Sequence, residues 1–148
     1  MEKRLVLRIL AHWREIQGER AFPKPDEISE ADLGEDARFC FRLAVAAGAP
    51  EPVFLSFGEF FRDHVPNVPG SGISECPSGT LLAAATGYVG DVLSRGVPVS
   101  IGGVATNRSQ PVLFRSILLP LSSDGVVIDE LLGAANCRPV EGDARVGW

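Results

Sequence analysis

Few residues in this chain are equipped for chemistry. It has two histidines, His12 and His64, and three cysteines, Cys40, Cys76 and Cys137. The cysteines are odd in number and far apart, with none of the short spacings that hold zinc or form a redox pair. That usage points to a reducing cytoplasm. The histidines predict surface or half-buried structural roles, because neither has a second ligand or a nucleophile near it in sequence. Ser71, Ser74 and Ser78 have no evident base partner, and Gly70-Ser71-Gly72 is too narrow for a nucleophile elbow. Asp26, Glu27, Glu30, Asp32, Glu35 and Asp36 read as a solvated acidic face rather than a metal cage. A small enzyme built on this sequence would have to use a buried carboxylate such as Asp129 as its base.

Composition narrows the function classes further. The chain of 148 residues fits one domain, long enough to bury a core without disulfides or metal. Its net charge of −5 argues against a general nucleic-acid binder. No apolar run approaches the roughly 20 residues of a membrane span. The opening MEKRLVLRILAHWRE is basic and then apolar, but Arg8, Arg14 and Glu15 interrupt it and no small-residue cleavage site follows, so it reads as a mature helix.

The elements that must position these residues follow from periodicity. Leu5, Ile9, Trp13 and Ile16 recur at helical spacing over residues 2–17, flanked by Val6 and Leu10, and Gly18 stops the helix. This stripe must be covered, by the chain's own sheet as the preferred reading or by a second copy in a dimer; a membrane surface is the third option. Residues 19–36 form a polar connection. Phe39, Phe41, Leu43 and Val45 alternate with polar or small residues in a first strand over 37–47. A turn at 48–52 leads into a second strand, Val53–Phe57, and Glu59–His64 forms a helical turn with Phe60 and Phe61 inward. Residues 65–79, rich in Pro, Gly and Ser, are loop or short helical turns.

Leu81–Arg95 predicts one helix, capped by Ser78 or Thr80 and stopped by Gly96 and Pro98. Gly87 and Gly90 inside it favour close packing over room for a ligand beside Tyr88. Val97–Thr106 is a strand, in which Gly102-Gly103 marks a bulge or a close approach. The chain centres on Pro111–Ala135, two strands joined by a tight turn at Asp124-Gly125 and too apolar to have one wet face. Arg115 and Ser116 point to opposite faces of the first of them. If Phe114, Ser116 and Leu118 face inward, Ser116 and Tyr88 offer polar groups inside an apolar region, more readily as a packed core than as a ligand site. Residues from Cys137 to Trp148 read as a frayed tail.

The predicted fold is α+β: a five-stranded antiparallel sheet with helices on one face and an N-terminal amphipathic helix. Three segments carry a family resemblance: HWREIQGERAFPKPDEI, FRDHVPNVPGSGISE and RSILLPLSSDGVVIDELLGAA. Together they frame nearly the whole chain, which resembles PAS domains and, within them, a bacterial family of small, often stand-alone PAS proteins. The resemblance implies a helix at 1–20, a PAS-like domain at 37–137 and a flexible tail at 138–148. It also implies a role in sensing or signalling, with a ligand, if any, held between the long helix and the sheet. Pocket candidates on this layout are Phe57, Tyr88, Val92, Phe114, Ser116 and Leu118. Leu5, Ile9, Trp13 and Ile16 are candidates for docking or dimerisation, since many PAS domains dimerise through a helix preceding the first strand.

Flavin-binding photosensory PAS domains carry an Asn-Cys-Arg motif before the long helix, whose cysteine bonds the flavin. Here Asn136-Cys137-Arg138 follows the last strand, and the better-placed Cys76 is flanked by Glu75 and Pro77. No flavin is predicted. No haem is predicted either, with His12 outside the expected pocket and His64 at its rim. The expectation is a non-catalytic cytoplasmic PAS module without cofactor or metal, homodimeric and acting through a signalling protein partner. A cofactor-dependent sensor is the alternative, with the Asp129 enzyme third.

Overall fold

The computed structural model describes residues 4–62 and 69–140. The first helix, α1 (Leu5–Gln17), ends at Gly18, whose φ of 58° suits a residue without a side chain. A 3-10 turn at Pro25–Glu27, a short α2 (Glu30–Leu33) and a second 3-10 turn at Gly34–Phe39 lead into the sheet. The five strands are β1 (Cys40–Ala44), β2 (Val53–Phe57), β3 (Val99–Asn107), β4 (Gln110–Leu121) and β5 (Glu130–Pro139). They form one antiparallel sheet in the order β2-β1-β5-β4-β3, so the first and last strands meet at its centre. Between β2 and β3 lie α3 (Leu81–Thr86) and α4 (Val89–Arg95).

Both faces of the sheet are covered, as the apolar runs in β4 and β5 require. On the helix face, Phe41, Leu43, Phe54, Phe61, Leu82, Val92, Phe114, Leu118 and Leu131 form one core. On the outer face, Leu5, Val6, Ile9 and Trp13 of α1 pack on Ile117, Leu119, Leu121, Leu132 and Ala134. Alternation in β4 separates the two sets, with even residues up to Leu118 toward the helices and odd residues toward α1.

The structure departs from the sequence reading at several joints. The first strand begins at Cys40, not 37, because residues 34–39 close a 3-10 turn that ends with the Cys40 amide on the Ala37 carbonyl. The helix over 81–95 is broken into two. Thr86 turns its hydroxyl back to the Leu82 carbonyl at 2.9 Å, and Gly87 has no side chain to support another turn, so α4 starts afresh after Tyr88. The Asp124-Gly125 hairpin is not a two-residue turn. β4 and β5 are joined by a longer loop from Ser122 to Asp129, organised by Asp124. Its Oδ1 accepts the amides of Val126 and Val127 at 2.8 and 2.9 Å, and Gly125 follows at φ 81°. The final strand continues through Arg138 to Pro139, because β4 offers partners as far as Val112. The 138–148 segment thus starts inside the sheet; its residues 141–148, like His64, lie outside the described residues.

Candidate functional site

The residues singled out for the interior come together, and the central contact is polar. Tyr88 sits at the break between α3 and α4, which turns its side chain down onto β4. Its hydroxyl lies 2.8 Å from Ser116 Oγ, with Tyr88 8% exposed and Ser116 wholly buried. Each hydroxyl can donate one hydrogen bond and accept another, so the pair satisfies itself in an apolar setting. Burial pushes the Tyr88 phenol well above its usual range, and the Ser116 bond only partly offsets that. Tyr88 is therefore a neutral hydrogen-bonding group at any ordinary pH.

Around this pair the side chains are aromatic and aliphatic. Val92 and Leu118 are fully buried, and Phe114 is 4% exposed. Phe57 is only partly buried and stacks on Phe54 with ring centres 4.5 Å apart. Phe41 packs edge-on to both Phe54 and Phe61, at 6.0 and 5.6 Å. The ring of Phe41 lies across β5 at Gly133, where any Cβ would fall 2.3 Å from it. Sequence reasoning missed Gly133; the only signal was a glycine inside an apolar strand.

The thiols are placed for structure. Cys40 is buried beneath α1 and bonds to the Asp36 carbonyl at 3.3 Å, and burial, followed by the nearby Asp36 charge, pushes its thiol up to about 12. Cys76 precedes α3 in the helix-face core, where burial raises it to about 11. Neither is the low-pKa thiolate that reacts readily. Cys137 lies on β5, half-buried, with the Asn107 side-chain amide 3.6 Å from its sulfur. The Asn-Cys-Arg sequence is thus strand backbone paired with Leu113, Phe114 and Arg115, remote from the start of any helix. These residues do not make the cysteine site that a covalently bound flavin requires.

The remaining candidates divide by role. Leu5, Ile9 and Trp13 are each 2% exposed on the chain's own sheet, with Ile16 half-buried beside them. The Trp13 indole N–H donates to the Pro120 carbonyl at 2.9 Å. That carbonyl lies beyond Val99, where β3 stops pairing with β4, so the indole supplies a partner the sheet does not. Asp129 is half-buried on the rim of an open groove of about 1030 Å³ bounded by Phe22, Val45, Leu93 and Val126. Its carboxylate accepts the Ser123 amide at 3.1 Å, a loop-building role, and it does not lie in a deep cavity as a buried base would. Among the described residues no group of three or more His, Cys, Asp or Glu can hold a metal ion. None of the described helices is long and apolar enough to cross a membrane.

Arg42 was not singled out as a site residue, yet it is the most heavily engaged cation described. It reaches the Glu130 carboxylate at 2.7 Å, the Pro25 carbonyl at 3.0 Å and the Ile28 carbonyl. It ties the connection after α1 to the two central strands. Its position opposite Leu43 in the strand alternation was legible; its partners, remote in sequence, were not.

No family model and no curated protein matches the sequence. Solved structures do. The Rhodobacter sphaeroides LOV protein superposes with a TM-score of 0.50 at 18% identity, over 74% of this chain and 68% of that one. A point variant of RsLOV gives the same TM-score and identity, over 74% and 66%. A fungal LOV domain photoreceptor gives 0.47 at 15%, over 88% and 90%. The chain thus spans about two thirds of the length of the first two. With the β2-β1-β5-β4-β3 sheet, helices on one face and a preceding amphipathic helix on the other, this chain has the PAS fold, the fold of the LOV proteins.

Proposed function

We propose that this chain is a non-catalytic PAS-type sensory module that signals from the cytoplasm through contacts with another protein. The observation that carries the reading is the Tyr88–Ser116 bond. In the position where PAS domains take a ligand, the polar groups are spent on each other. A molecule entering between α4 and β4 would have to replace that bond, so Phe57, Tyr88, Val92, Phe114, Ser116 and Leu118 form a closed pocket that a small ligand could open. The likeness to LOV proteins makes a flavin the natural competing occupant, and a cofactor-dependent sensor is the second reading.

The absorption spectrum of the purified protein, before and after incubation with flavin mononucleotide or haem, separates the two. The expected result is absorption from protein chromophores alone, with excess cofactor removed completely by gel filtration. A retained band above the protein region would overturn the proposal in favour of the cofactor sensor.

A further inference from the structure

β3 is an edge strand, and its free edge has definite limits. Thr106 donates its amide to the Gly79 carbonyl at 2.8 Å, away from β4. In an antiparallel ladder the backbone groups alternate in direction, so the amides and carbonyls of Ser100, Gly102 and Val104 also point outward. Thr106 faces Pro111, which has no amide to give, and this agrees with that phase. Residues 100–104 are all exposed. Gly79 closes this window at one end and Pro98 precedes it at the other. The opposite edge is covered: Phe54 donates to the Ser71 carbonyl at 2.9 Å and Gly70 to the Phe54 carbonyl at 2.7 Å.

Sheet edges that stay unpaired are commonly guarded by charge or proline. The β3 sequence, VSIGGVATN, contains neither. We propose that β3 pairs antiparallel with β3 of a second copy of this chain, about a two-fold axis at Gly102. In that register Ser100 faces Val104 of the second copy and Gly102 faces itself, so all the outward groups of the window are used. Gly79 and Pro98 fall just beyond the ladder on both sides. No like charges meet, because the strand has none.

Shape supports the same occupant. Ser100 pairs with Ile117, an outer-face residue, so Ser100, Gly102 and Val104 share the outer face. Beside them runs an open groove of about 510 Å³, bordered by Val6, Leu113 and Arg115 and floored by Gly102. Val104, 67% exposed, lies diagonally across from Gly102 of the second copy and would enter that groove. A stable dimer buries about 1,600 Å² in all, more than a short ladder provides, and the two grooves supply the additional surface. α1 cannot supply it, since its apolar stripe is already seated on its own sheet.

The test is sedimentation equilibrium of the full chain over a dilution series, with residue-resolved amide exchange. The expected mass is twice 15.8 kDa, with the Ser100, Gly102 and Val104 amides slow to exchange and released on dilution. Val104→Pro deletes an amide that the monomer does not use, so the mass should halve with far-ultraviolet dichroism unchanged. If that variant does not fold, Val104→Lys gives the same reading by placing like charges on both sides of the axis. A wild-type monomer throughout, a dimer whose three amides exchange freely, or a folded variant that stays dimeric would each overturn the proposal.

Discussion

The two faces of the sheet are closed by different means. The helix face is covered by short segments between β2 and β3, and its core is interlocked: phenylalanine rings meet edge to face, one lies on Gly133, and a polar pair is bonded in the middle. The outer face is covered by a single helix with mostly aliphatic contacts, and its specific bonds lie toward the rim. These are the Trp13 indole on Pro120 and the two-pronged Arg8–Asp36 pair at 2.9 and 2.8 Å. A face built from interlocking shapes resists small changes of volume. A face covered by one helix depends on a few large anchors.

Removing the anchor should have the largest effect. Trp13→Ala strips the biggest side chain from the outer core and leaves the Pro120 carbonyl without its partner, a loss of about 3–5 kcal/mol. Urea unfolding followed by circular dichroism should show it as a lower midpoint with the slope retained. A loss under about 1 kcal/mol would mean that α1 is not anchored there.

An intermediate effect is expected on the helix face. Gly133→Ala places a methyl group in the Phe41 ring, which is 1% exposed and has little freedom to withdraw. The cost should be about 1–3 kcal/mol, from overpacking rather than from any lost contact. Near-ultraviolet dichroism should change with it as the aromatic cluster shifts; an unchanged spectrum and full stability would argue that the face is loosely packed.

The smallest effect should come from the polar pair. Tyr88→Phe and Ser116→Ala each leave one buried hydroxyl unpaired, at about 1–2 kcal/mol. The double variant should cost less than the sum, because removing both partners removes the unpaired group too. Strict additivity would show that the bond is not what positions these residues.

The legible part of this architecture is the part written in periodic burial. The α1 stripe, the two-sided greasiness of β4 and β5, and the inward phase of Phe114, Ser116 and Leu118 all follow from spacing. What escaped depends on single side chains acting on nearby backbone. Asp124 looked like half of a two-residue turn, but its carboxylate gathers the Val126 and Val127 amides and holds a wider loop open. Thr86 looked like a helical residue, but its hydroxyl competes for a helical carbonyl just ahead of Gly87. The Tyr88–Ser116 bond was foreseeable as a meeting of two polar groups, because strand phase and helix face both pointed inward. Gly133 was opaque, since its requirement comes from a ring almost a hundred residues earlier in the chain.

The bond from Trp13 to Pro120 also has a consequence in time. Its partners are 107 residues apart, and the helix is made before the strands that seat it. At typical synthesis rates of about 5–20 residues per second, α1 waits roughly 5–20 s for β4 and then β5 to emerge. Through that interval its apolar stripe is open to any neighbour. Arg4, Arg8 and Arg14 on the same segment give the nascent helix a net positive charge that opposes self-association until the sheet arrives. The last strands to leave the ribosome complete the seat for the first helix, so a chain cut short before β5 should be prone to aggregate rather than merely less stable.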